Sequence, residues 1–201
     1  MALSLTQRVQ NLLSSLDSED TLCFLAFNKV LGSIPVRILK TLLNSTYNIP
    51  KTKVDSDEQG SELYDSLERI RNTKCLVLML TKQIFSKPII LAEVAIAVKQ
   101  GIPLIAIKLA DSGYDFDQEA SFLKKSDMLT RLENETPGFL KSIEEEGFTF
   151  QEIVNTTISS VPNLVSLPLD YKEPPQVVDA QIEKILETIL IMIRKTKNTG
   201  K

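Results

Sequence analysis

The 201-residue sequence has no histidine and no tryptophan, and only two cysteines. Without histidine there is no Ser-His or Cys-His nucleophile pair, and the commonest transition-metal ligand is missing, so no metal site is expected. Acid/base chemistry is left to carboxylates, lysine, tyrosine or cysteine. Cys23 and Cys75 each lie in a short apolar run and read as buried thiols in a reducing compartment, with no disulfide framework. Long hydrophobic runs are also lacking. The C-terminal run 188–193 is far short of the roughly 20 residues that cross a bilayer. The leucine-containing stretch 1–16 is interrupted by Gln7, Arg8 and Gln10, unlike a signal peptide. A cytoplasmic protein is expected. Neither sign of charge dominates: the formal net charge is −3, which gives no basic field for nucleic acid or an anionic membrane. The glycine signatures of phosphate cradles, G-x-x-x-x-G-K-[ST] and G-x-G-x-x-G, are both absent.

What remains is a globular composition, 43% hydrophobic and 24% charged. Residues 22–27 (LCFLAF), 75–80 (CLVLML), 102–107 (IPLIAI) and 164–169 (LVSLPL) have the length and apolar character of buried strands. Residues 48–54 (NIPKTKV) read as a weaker strand at a sheet edge, because of Pro50 and two lysines. Helices are expected over 35–43 after a turn at 28–33, and over 62–70, 88–100, 122–132, 150–158 and 177–194. An amphipathic helix is expected within 1–17. Pro88 at a helix start and Gly101 just past its end are the usual punctuation. Strand and helix alternate, so the expected class is α/β: a doubly wound, flavodoxin-like parallel sheet of five strands in the order 2-1-3-4-5, with helices on both faces. In that order the ligand crevice opens where strands one and three separate, at their carboxyl ends. The loops after those strands and the first turns of the 88–100 helix meet there.

One residue in that helix breaks its pattern. From Pro88 to Val98 every side chain is apolar except Glu93, whose helical neighbours are Ile89, Ile90, Ile96 and Ala97. A carboxylate in an apolar environment costs several kcal/mol if it stays charged, or its pKa rises. Glu93 is open to three readings: it reaches solvent at a cleft rim, it pairs with a basic side chain from elsewhere, or it does chemistry. The chemistry would be that of a general base, or of a carboxylate facing an oxocarbenium-like transition state at a sugar carbon. The acidic loop 55–61 (DSDEQGS) reads as a solvated turn, and the Glu144-Glu145-Glu146 run as a solvated helix end.

Several stretches together resemble the TIR (Toll/interleukin-1 receptor homology) domain family. LCFLAFNK at 22–29 is similar to the family's first box. Val54-Asp55 followed by Gly60 resembles the second-strand aspartate and its loop. Phe85-Ser86 with Leu91-Ala92-Glu93-Val94 resembles the strand–loop–helix segment, and Gly101-Ile102-Pro103-Leu104-Ile105 the entry to strand four. The resemblance implies one TIR-like domain over 18–196, with an irregular insertion around 110–162 and a disordered tail at 197–201. It also implies one of two functions. Some members cleave NAD⁺ between nicotinamide and ribose, as a substrate and with no separate cofactor, to give nicotinamide with linear ADP-ribose (by hydrolysis) or a cyclic variant. Others associate with further TIR domains as scaffolds. In the enzymatic case Glu93 would be the catalytic residue. Phe27, Asn28, Lys29, Asp55, Ser86 and Ile89 would line the substrate site, with Lys29 available to a phosphate. In the scaffold case Asp57, Glu58 and Gly60 would form the assembly loop. Ile89 departs from the family, where an aromatic often stands. A nucleoside-processing enzyme on a similar sheet is a further alternative.

Overall fold

A strand buried on both faces sends alternate side chains into two apolar layers, which is why the central strands read as continuous hydrophobic runs. The computed structural model follows this rule; it describes residues 4–15, 21–47, 52–54, 63–164 and 166–199. The strands are β1 (Cys23–Ala26), β2 (Thr52–Val54), β3 (Leu76–Leu80), β4 (Leu104–Leu109) and β5 (Ser166–Leu169). They form one parallel sheet in the order β2-β1-β3-β4-β5. Phe24 pairs with Leu76, Val77 with Ile105 and Ile107 with Leu167.

The helices are α1 (Leu5–Leu13), α2 (Lys29–Tyr47), α3 (Leu63–Arg71), α4 (Pro88–Lys99), α5 (Phe116–Leu123), α6 (Met128–Glu135), α7 (Phe139–Glu145), α8 (Phe150–Ser160) and α9 (Pro175–Thr199). On one face, Leu25, Phe27, Val77, Met79 and Ile107 pack with α1, α2 and α9, through residues such as Val9, Leu39 and Ile185. On the other, Phe24, Leu76, Leu78 and Ala106 pack with α3, α4 and the four helices that follow β4. The α1 helix is part of the first layer: Val9 is buried, and Arg8 stands 3.9 Å from Glu187 of α9.

Four expectations are corrected. The turn expected at 28–33 is already helix. Asn28 starts α2, its Oδ1 accepting from the Val30 N–H at 3.1 Å and its carbonyl from the Gly32 N–H at 2.7 Å. Pro35 does not stop the helix, because burying Val36, Leu39 and Leu43 outweighs the missing N–H. Gly32 packs closely here: a Cβ on it would lie 3.1 Å from Cδ2 of Phe27, which would have to shift. The single helix expected at 122–132 is two helices, because Asp115 caps α5 early by accepting from the Gln118 N–H, and the polar stretch 124–127 interrupts the apolar face. Within the glutamate run Glu146 is not simply solvated, since it pairs with Arg71 of α3. The stretch 110–162, expected to be irregular, is largely the four helices α5 to α8.

Candidate active site

The sheet order places the expected crevice at the ends of β1 and β3, beside the start of α4. At the end of β1, Asn28 is 3% exposed and its Nδ2 donates to the Lys82 carbonyl at 3.5 Å, tying the two strand ends together. Lys82 in turn donates its N–H to the Ser112 carbonyl beyond β4, at 3.0 Å. The chain then passes Gln83, whose φ of 59° is in the left-handed region, into a 3-10 turn over Ile84–Ser86. A side chain other than glycine held there costs roughly 1–2 kcal/mol. The Ser86 hydroxyl donates to the Gln83 carbonyl at 2.8 Å and closes the turn. Pro88 then opens α4.

Glu93 has no exposed surface. It lies one turn after Ile89, which is half-buried, and among residues 90–97 of α4, all buried. Of the alternatives open for it from sequence, exposure at a cleft rim is not what the structure has. Ser86 and Ile89 are on the same loop-and-helix segment as Glu93. Lys29 is exposed at the first turn of α2. Phe27 does not join them: its side chain is 2% exposed and sits in the layer of α2 and α9, under Gly32. Strand parity explains this, since Leu25 and Phe27 share one face and α4 covers the other. Asp55 and the loop residues Asp57, Glu58 and Gly60 lie outside the described residues.

Sequence reasoning missed Glu119. It is on α5 and 5% exposed; one carboxylate oxygen accepts from the Gln83 N–H at 2.5 Å and the other from the Phe85 N–H at 3.3 Å. Burial pushes this carboxyl above its ordinary value, the two N–H donors pull it down, and Asp115 nearby adds to the rise. A carboxyl with a raised folded pKa binds its proton more tightly in the folded chain. Its share of stability is therefore fullest below the unfolded value of about 4.3, and is lost as pH rises through the folded value. Replacing Glu119 with Gln should flatten this fall, read as the denaturant midpoint from about pH 4 to about pH 7.

Two cavities flank the start of α5, of about 490 Å³ and 590 Å³, and share Asp115 and Asp117 in their linings. A third, of about 230 Å³, lies over the ends of β4 and β5. Glu93, Ser86 and Phe27 line none of the three. Among the described residues no cluster of three or more Cys, Asp or Glu could hold a metal ion, and no helix is long and apolar enough to cross a membrane.

No family model and no curated protein matches this sequence. Solved structures do match the fold. The TIR domains in the structure of the activated Roq1 resistosome, which directly recognises the pathogen effector XopQ, superpose with a TM-score of 0.54 at 13% identity. The match covers 85% of this chain and 99% of that one. The fold is that of a TIR domain. Within it, the helices after β4 belong to the matched architecture at least in part, because the 15% of this chain left over is shorter than the 110–162 stretch.

Proposed function

We propose that this TIR-fold chain acts in defence or other signalling by hydrolysing NAD⁺ at the bond between nicotinamide and ribose. The observation that carries this reading is Glu93, a fully buried carboxylate in an otherwise apolar helix that starts beside the carboxyl ends of β1 and β3. A carboxylate held away from water beside the expected ligand crevice fits a chemical role. Water adds to the ribose anomeric carbon, the glycosidic bond breaks, nicotinamide leaves with the bonding pair, and a proton is released with ADP-ribose. Glu93 faces the positive charge that develops on the ribose, in a site where a low dielectric strengthens the interaction. Ser86 stands near the ribose and Lys29 takes a phosphate. Because Glu93 has no exposed surface, substrate meets it only after the side chains around it part. In a reducing cytoplasm Cys23 and Cys75 stay as thiols. Incubation of the chain with NAD⁺ should release nicotinamide; release of free base from nucleosides alone would assign a nucleoside-processing enzyme instead.

A second reading, association with other TIR domains, is favoured by a different observation. At the start of α2, Val30 is 81% exposed, Ile34 63% and Leu31 47%, three apolar side chains on neighbouring turns. Clustered exposed apolar side chains commonly mark interaction surfaces. Light scattering as a function of concentration should show association that Val30→Asp with Ile34→Asp reduces and Glu93→Gln leaves unchanged. Association lost only on changing Asp57 or Glu58 would move the interface to the loop after β2.

A further inference from the structure

We propose that Glu119 is a positioning residue: with Glu135 it braces the loop at residues 83–87, fixing Ser86 and the first turn of the helix that carries Glu93. The inference deepens the reading of Glu93 as the reacting carboxylate, and rests on that reading for its effect on rate only.

The first N–H groups of a helix or 3-10 turn have no partner within it and need acceptors from outside. Such acceptors usually come from a Ser, Thr, Asp or Asn at the cap itself, as Asp115 and Thr149 provide for α5 and α8. The loop between β3 and α4 has no local device of this kind. Gln83 precedes the 3-10 turn and Lys87 precedes α4, and neither side chain caps the helix that follows. For the 3-10 turn the acceptors come instead from far along the chain, and the Lys87 side chain just before α4 is held by an ion pair. Glu119 takes the N–H groups of Gln83 and Phe85, 36 and 34 residues away, and Glu135 of α6 pairs with the Lys87 ammonium, 48 residues away. Both carboxylates therefore reach this loop from the helices after β4.

The residue gripped most tightly is also the strained one. Gln83 is held in the left-handed region, and such a conformation persists where its surroundings over-determine it. Two acceptors on one buried carboxylate, aimed at the N–H groups on either side of Ile84, do this. A glutamine in place of Glu119 can accept only one of the two bonds, because its amide nitrogen presents donors where the second oxygen stood. The 110–162 stretch thereby gains a task that its sequence did not suggest: its first two helices hold the loop from which Ser86 and α4 start.

Hydrogen exchange of the full chain tests the brace. The comparison is wild type, Glu119→Gln, Glu119→Ala and Glu135→Gln, with Glu133→Gln as control. Glu133 makes the same double acceptance, from the Gly138 and Leu140 N–H groups at the start of α7, away from the loop. Exchange at Gln83 and Phe85 should rise about 10- to 100-fold in Glu119→Ala, which corresponds to losing charge-assisted bonds, and by less in Glu119→Gln. It should be unchanged in the control. Nicotinamide release should fall in the same order, in kcat, with KM held within about twofold. Should the alanine variant fail to fold, Glu119→Gln carries the comparison. Unchanged exchange at both amides overturns the brace, and faster exchange with an undiminished kcat overturns its role in positioning. A wild type that releases no nicotinamide overturns the proposed function and the role in positioning together, and exchange alone then decides the brace.

Discussion

Replacing Glu93 with Gln should abolish nicotinamide release from NAD⁺ and leave the fold standing. Glutamine keeps the volume and one acceptor, so the helix packing between Ile90 and Ala97 is preserved. The variant loses the negative charge that would face the ribose as positive charge develops there. A preorganised group of this kind is worth about 10²- to 10³-fold in rate, and a charge in a dry site lies at the upper end. The loss should appear in kcat, because the interaction strengthens only as the bond breaks. Thermal unfolding should stay close to the wild-type temperature, because glutamine fills the same space in the helix packing. A variant that melts far below wild type would assign Glu93 a structural task, and its loss of activity would then say nothing about chemistry.

The second large effect concerns the helices after β4. Phe139, at the start of α7, has no exposed surface and packs in the same apolar layer as Leu78 and α4. Phe139→Ala removes a full aromatic side chain from a closed core, which destabilises by about 3–5 kcal/mol. In a chain of this size that lowers the melting temperature by roughly 10 °C. If 110–162 is integral to the domain, the whole domain should still unfold in one transition at the lower temperature. An insertion or lid of independent stability would give a second, early transition and leave the sheet's own melting where it was. The burial of Ile143, Ile153 and Val154 in the same layer favours the first outcome.

Much of the frame was legible in the residues. Runs such as LCFLAF and CLVLML are apolar at every position, which is what a strand buried on both faces requires. Pro88 and Gly101 bounded α4 from sequence, and Gly101 takes a φ of +68° just past the helix, a conformation glycine adopts without strain. Glu93 was conspicuous as one carboxylate among apolar neighbours, and its complete burial follows from the same pattern. Other features needed three dimensions. Which layer Phe27 enters depends on strand parity combined with the face that α4 covers, and neither is a local property. The division of 122–132 into two helices was missed because Phe122, Leu129 and Leu132 keep an apparent helical spacing across a polar break. Glu119 was overlooked because it lacks the signal that exposed Glu93: Phe116, Phe122 and Leu123 flank it at helical spacing, but so does Asp115, and Asp117, Gln118 and Ser121 share its helix. Its partners, two backbone N–H groups more than thirty residues away, leave no trace in side-chain identity.

The most direct measurement is a chromatogram of NAD⁺ incubated with the unaltered chain at high protein concentration, against NAD⁺ alone and against the Glu93→Gln protein. The account predicts nicotinamide and ADP-ribose, formed in equal amounts by the wild type and at the background rate in the variant. Nicotinamide at the background rate from the wild type, or equal release from both proteins, would contradict it.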